Sequence, residues 1–433
     1  LNNALSIAKQ YRNKKLLGRI YRNLGLSYSH KINRDYSDTD YVYLNIFNNY
    51  KKAANIGKNN DDSYGYWTAT SNIMRTFFDL DSENQIDSIY HYYYKLLDYS
   101  KENRNFEIEA DAYSLMSLFY LSSEYHHDKI KAKTYINKAL VLDKHMSITN
   151  KIISLRSASW IENDIYKTQK LNTELLFLSK QINDNTEIVN SLFSLGYNYI
   201  HPLSEFEKSE KILMEALKYE DAIHDFKFDK LRILAGLGYN YYYQGKYDKA
   251  LIFYTKATDV NLNSPLANYL SSRDLAISYF YTNDYDKAKY LFDKTIKMMR
   301  SMNDNPSVFV LSYLNEIKLK NYSTTNLNID NPFERLFTDR HVITIDELSQ
   351  FLLDSEISDL RGLIGESDYY TIFYNLYQIY LSIGDIQEAN KHLDKAYEEI
   401  MKLAAILKQE DRERFLTNNY LVKLIVEEWE KVK

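Results

Sequence analysis

Apolar residues recur along this chain at intervals of three and four, the period of an α-helix with one buried face. Leu421, Leu424, Ile425 and Trp429 follow this spacing, as do Ala250, Tyr254 and Ala257. Alternation of period two is not sustained anywhere, so amphipathic helices joined by short polar turns are predicted over most of the sequence. Two stretches, 66–104 and 150–183, carry the period without any finer signature.

Elsewhere the pattern repeats with itself. The clearest unit reads Leu237-Gly238-x-x-Tyr241, then Gly245, Tyr247, Ala250, Tyr254 and Ala257, at positions 7, 8, 11, 15, 17, 20, 24 and 27 of a unit starting at Leu231. Leu275-Ala276-x-x-Tyr279 with Ala288 and Phe292 keeps that register, Thr295 replacing the last small residue. Leu376-Tyr377-x-x-Tyr380 with Gly384, Ala389, Leu393 and Ala396 keeps it as well. Leu195-Gly196-x-x-Tyr199 leads to Ser209, Leu213 and Ala216 after one extra turn residue, and Met116-Ser117-x-x-Tyr120 to Ala132, Ile136 and Ala139 after three. Leu24-Gly25-x-x-Tyr28 opens a further unit, with Phe47, Tyr50, Ala53 and Ala54 expected on its second helix. Small residues at 8, 20 and 27 would let two antiparallel helices approach, and large residues at 7, 11 and 24 would fill the space between them and the next repeat.

This pattern resembles the tetratricopeptide repeat, a helix-turn-helix unit of about 34 residues. Roughly eight units are expected on that count. The spacing of 42 residues from Tyr199 to Tyr241 and 38 from Tyr241 to Tyr279 implies lengthened helices or turns. The resemblance implies an all-α protein, a right-handed α-solenoid of antiparallel helix pairs, whose repeats each pack on their neighbours. An array is expected over 1–320, an irregular insertion or break over 321–344, and a further repeat with capping helices over 345–433. The break is read from lost periodicity between Tyr322 and Val342 and from Pro332, with helix resuming near Ile345. The tail, Glu410 to Leu416 and Leu421 to Trp429, is similar to the closing helices of tetratricopeptide arrays in large bacterial signalling ATPases, adenylate cyclases and kinases. The plainer reading, which is preferred, is that Phe415, Leu416, Leu421, Leu424, Ile425 and Trp429 cap the last repeat's apolar face.

Composition sharpens the picture by exclusion. Only 11 Gly and 4 Pro occur in 433 residues, too few for the turns of a strand-rich sandwich or barrel. No stretch approaches the roughly 18 apolar residues of a membrane helix, so no membrane insertion is expected. With no cysteine there is no disulfide framework and no thiolate chemistry, which fits a cytoplasmic location and is compatible with a periplasmic one. The formal charge of −5 gives no global field for nucleic acid, and none is expected as a partner, although Lys9 to Arg22 is locally basic.

Catalytic signatures are missing: no phosphate-binding loop, dinucleotide fingerprint, H-E-x-x-H or G-x-S-x-G is present. His126-His127-Asp128 offers imidazole and carboxylate, but adjacent turn residues rarely converge on one ion, so a solvated turn is expected. Acidic pairs such as Glu398-Glu399 and Glu427-Glu428 read as solvated helix faces. No enzyme activity, cofactor or metal is expected.

Tyrosine, with 42 copies, is the compositional outlier. At positions 11, 17 and 24 it is core. The resemblance implies a concave groove lined by positions 2, 5, 9, 12 and 13 of each first helix. In this register those are Asn190, Phe193, Tyr197 and His201; Arg232, Tyr239, Tyr242 and Tyr243; Arg273, Phe280 and Tyr281; and Tyr374 and Gln378. Tyr and Arg are enriched at binding hot spots because they join large contact area to a polar tip. Two readings of these residues stand, a peptide groove or aromatic packing inside a tight superhelix. The Lys and Asn constellation by which some family members clamp a C-terminal carboxylate is not evident. The expected function is a non-enzymatic scaffold or regulatory module that binds a peptide or protein segment, in bacterial signalling or regulation. The alternative is a peptide-sensing array whose superhelix changes on ligand binding.

Overall fold

The computed structural model describes residues 2–32, 39–80, 85–123, 125–223, 226–260, 262, 265–301, 329–330, 342–343, 349–350, 353 and 369–433. These hold nineteen α-helices and one short antiparallel ladder, Ile329–Asp330 on Val342–Ile343. Two compact units divide the chain, Leu1–Ile182 and Asn183–Lys433. The ladder is what is described of the interruption expected between Tyr322 and Val342; the resumption of helix near Ile345 lies outside the described residues.

In the first unit, α1 (Asn2–Gln10) leads into the pairs α2/α3 (Lys14–Ile32, Thr39–Lys58), α4/α5 (Ser63–Leu80, Ile86–Glu102), α6/α7 (Phe106–Ser122, Lys129–Val141) and α8/α9 (Ile148–Ile161, Ile165–Gln181). The two stretches that carried period alone are thus both helix pairs. In the second unit the pairs are α10/α11 (Asn185–Ile200, Phe206–Leu217), α12/α13 (Lys227–Tyr242, Tyr247–Thr258), α14/α15 (Pro265–Tyr281, Tyr285–Ser301) and α16/α17 (Tyr369–Ser382, Ile386–Ala405). They are followed by α18 (Gln409–Asn418) and α19 (Tyr420–Val432). No described helix is long and apolar enough to cross a membrane.

The predicted small-to-large contacts are present inside the pairs. A Cβ on Gly238 would stand 2.4 Å from Tyr254, one on Gly196 2.7 Å from Leu213, and one on Gly25 2.6 Å from Tyr50. Only glycine permits these approaches. Ala250, Ala257, Ala288, Ala389 and Ala396 are fully buried, and buried Thr295 turns its hydroxyl onto the carbonyl of Phe292 at 2.8 Å, so its polarity is satisfied within its own helix.

One turn recurs. The position-11 carbonyl accepts the amide that opens the next helix: Lys246 to Tyr241, Asp284 to Tyr279 and Asp385 to Tyr380, each at 3.0 Å. The residue between lies in the left-handed region, as Gly245 (φ +69°), Asn283 (+63°) and Gly384 (+84°), the αL stop that ends many helices. The lengthened turns keep the same bond, Glu205 to Tyr199 at 2.8 Å and Asp128 to Tyr120 at 2.9 Å. Side-chain caps complete the ends: Asp128, Asp184 and Asp385 accept the amides of Lys131, Glu187 and Glu388. Asp128 is therefore a helix cap, His126 packs on Phe119, and no metal-ligand cluster occurs among the described residues.

Candidate functional site

The inner helices of the second unit, α10, α12, α14 and α16, carry the residues selected by register, and the structure sorts them into two clusters. The deeper one is built around an ion pair. Arg273, 8% exposed, sets Nη2 at 2.7 Å and Nε at 2.9 Å from Oδ1 of its neighbour Asp274 and donates from Nη2 to the Tyr239 hydroxyl at 2.7 Å. Burial raises the Asp274 carboxyl above its usual range, and the guanidinium opposes that shift. Tyr254, wholly buried, stands edge-on to Tyr239 at 5.7 Å. Tyr247 stacks on Tyr281 at 4.5 Å, with Tyr242 edge-on to Tyr281 at 5.8 Å. Burial pushes the Tyr242 and Tyr254 hydroxyls well above the usual phenol range, so both remain protonated donors.

Between these side chains lies a cavity of about 40 Å³, bounded by Tyr239, Tyr242, Tyr254, Arg273, Asp274 and Tyr281 and, from the other side, by Thr371, Tyr374, Asn375 and Leu421. That is room for a water or two. Tyr374 is 2% exposed, and burial followed by the neighbouring Glu428 carboxylate raises its hydroxyl far above the phenol range.

The C-terminal helices close this face. The Tyr420 amide donates to the carbonyl of Tyr243 at 2.8 Å, and the Tyr420 ring lies against Gly245, where a Cβ would stand 2.6 Å away. His201 packs between Tyr243, Tyr370 and Phe415 at 5.6, 6.0 and 5.6 Å between ring centres, and its burial lowers its pKa to about 4. Arg414 pairs with Asp411 and reaches Glu205 at 3.5 Å. The tail thus does more than cap the last repeat, although Phe415, Leu421 and Ile425 are buried as a cap requires.

The second cluster is shallower. Arg232 lies over Phe193 at 4.2 Å and over Phe228 at 5.4 Å, touches Asn190 Oδ1 at 3.4 Å, and pairs with Asp229 at 3.4 Å. Tyr197, 36% exposed, bridges the clusters by standing edge-on to Tyr239 at 6.4 Å. Phe280 packs on Tyr281 and Tyr285, away from the cavity wall, and Gln378 lies one turn beyond Tyr374, half-buried. Sequence reasoning missed Asp274, which sits at position 6 of its unit, and Tyr254, whose position 24 assigned it to the core. It also missed Thr371, although that residue stands at position 2 of its unit, and took Leu421 only as part of the capping tail; for Tyr370, Asn375 and Tyr420 no local signal exists.

No protein-family model matches the chain, and no curated protein matches it. Solved structures do. The apo form of the quorum sensor NprR from B. thuringiensis superposes with a TM-score of 0.57 at 13% identity, covering 91% of this chain and 99% of that one. The Rap conjugation gene regulator of plasmid pLS20, in complex with a Phr peptide, gives 0.52 at 14% identity over 90% and 97%. A Rap protein complexed with competence and sporulation factor gives 0.51 at 11% over 86% and 99%. At these identities the likeness is one of fold: the chain has a tetratricopeptide-type helical repeat fold.

Proposed function

We propose that this chain is a non-enzymatic regulatory module that binds a peptide or protein segment on the inner face of its second unit. The observation that carries the reading is the polar centre inside an aromatic wall: Arg273 hydrogen-bonded to both Asp274 and Tyr239 at the edge of a cavity. A binding surface needs large rigid contact area and a few fixed polar groups, and this face supplies both. The structural neighbours include regulators solved with peptides, which supports the same reading. Asn190, Phe193, Tyr197 and Arg232 would form the outer part of the surface; His201, Tyr239, Tyr242, Tyr243, Arg273, Tyr281 and Tyr374 the inner part; Phe280 and Gln378 its margins.

The test is affinity capture from the native lysate with the parent chain and with a Phe193→Ala, Arg232→Ala variant whose helicity is first matched by circular dichroism. These side chains are half-buried, whereas an alanine at Tyr243, 3% exposed, would hollow the core. A partner retained by the parent and lost by the variant supports the reading; identical profiles sink it.

The ligand-responsive alternative is favoured by one observation, the closure of the inner face by Tyr420 and Leu421. A segment entering there has to displace α19, so binding and opening are one equilibrium. The chain has no cysteine, so spin labels at introduced cysteines in place of exposed Lys249 and Lys423 report that distance without background. A distance distribution unchanged by the captured partner rejects the ligand-responsive reading and leaves a scaffold that binds on the outer part alone, at Asn190, Phe193, Tyr197 and Arg232.

A further inference from the structure

Residues 1–34 contain eight Lys and Arg and no Asp or Glu, in a chain whose formal charge is −5. The helical period of 100° per residue brings Lys15, Arg19, Arg22 and Leu26 within a stripe about 60° wide on α2. Arg19, Arg22 and Leu26 stand at positions 2, 5 and 9 of the unit opened by Leu24-Gly25-x-x-Tyr28, the register equivalents of Asn190, Phe193 and Tyr197 on α10. Arg22 is drawn toward the next inner helix, donating to Thr68 Oγ1 at 2.6 Å and lying over the exposed ring of Tyr64 at 5.4 Å. Among the described residues no carboxylate pairs with Lys15, Arg19 or Arg22. Apolar side chains are interleaved with these cations: Leu16 is 41% exposed and Leu26 47%.

We propose that this face of the first unit is a docking surface for an acidic amphipathic segment of a protein partner, separate from the site on the second unit. Unpaired cations at one-turn spacing match carboxylates at the same spacing on a partner helix, and complementary charge of this kind speeds encounter and fixes register. The exposed leucines decide among anionic partners. A phosphate backbone gains nothing by covering Leu16 and Leu26, whereas a helix that alternates Glu with Leu neutralises the cations and buries both. A flat anionic bilayer would leave Arg22, turned against Tyr64 and Thr68, out of reach.

The experiment uses the full chain and a fluorescein-labelled peptide about 18 residues long, with Glu and Leu at helical spacing, read by anisotropy. The comparison probes are its Lys-for-Glu counterpart, a mixed-sequence DNA duplex and vesicles of phosphatidylglycerol. Saturable binding of the acidic peptide alone is expected, weakened roughly tenfold by Lys15→Glu with Arg19→Glu and reduced by added salt. Both side chains are exposed, so the fold survives the change; Lys15→Gln with Arg19→Gln, expected to give an intermediate loss, guards against a misfolded double reversal. Tyr239→Phe, which touches only the second unit, is expected to leave this binding unchanged. Absence of binding, equal binding by the charge-reversed protein, or preference for duplex or vesicle overturns the proposal.

Discussion

The amide of Tyr420 donates to the carbonyl of Tyr243 at 2.8 Å, joining the first turn of the last helix to the end of an inner helix far earlier in the sequence. The contact is made at a turn that only glycine fits. Gly245 lies at φ +69°, and its missing side chain is the space in which the Tyr420 ring rests.

Gly245→Ala is accordingly expected to cost more than Gly384→Ala. Both place a Cβ in the left-handed region, about 1–2 kcal/mol, but the space around Gly384 is empty and that around Gly245 holds Tyr420. Thermal melts should rank the variants in that order, and limited proteolysis should release the C-terminal helix from Gly245→Ala first. Equal melting points would mean that the Tyr420 contact contributes nothing.

The buried ion pair gives a second prediction. Arg273→Met leaves Asp274 buried without its cation, with an expected loss of about 3–5 kcal/mol, while Tyr239→Phe removes one hydrogen bond to the guanidinium at about 1–3 kcal/mol. Removing both charges, as Arg273→Met with Asp274→Asn, should recover much of the loss. Denaturant midpoints measure all three, and a double variant as unstable as Arg273→Met alone would contradict the coupling.

At Gly238, Tyr254 fills the space in which a Cβ would stand. Gly238→Ala is expected to destabilise the unit by about 1–3 kcal/mol through overpacking, and calorimetry reads it. A melting point unchanged within error would show that Tyr254 has somewhere to go.

Two buried histidines predict a pH dependence. Burial holds His201 near pKa 4, and burial with help from Lys391 does the same for His392, against 6.5 for both in the ordinary state. The unfolded chain therefore binds more protons between pH 6.5 and 4, so stability is full above 6.5 and falls as the pH drops through that window. Each histidine contributes on the order of a few kcal/mol at the low end. Urea midpoints measured across the window should fall steeply for the parent and less steeply for His201→Gln; parallel curves would place the sensitivity elsewhere.

Much of the fold was legible because its determinants are local. The pairing of Gly238 with Tyr254, of Gly196 with Leu213 and of Gly25 with Tyr50 lies inside single helix pairs, where helical period and short turns fix which residues meet. The position-11 carbonyl turn and the Asp128 cap are equally local, yet neither is among the sequence expectations, which give only a solvated turn at His126-His127-Asp128. The site was legible only as a set of inward-facing positions. Register brought out Tyr239, Tyr242, Tyr243, Arg273, Tyr281 and Tyr374, which bound the cavity, yet it grouped them with Phe280, which packs on Tyr285 instead.

The sequence by itself determined the helix period, the repeat unit and the faces on which tyrosines accumulate, since each depends on residues within one turn or one hairpin. Only the tertiary structure decided that Tyr420 rests on Gly245, that Asp274 neutralises Arg273 against a cavity, and that Phe415 and Tyr370 enclose His201. Contacts between distant helices sum the small rotations of every helix pair between them, and no local pattern encodes that sum.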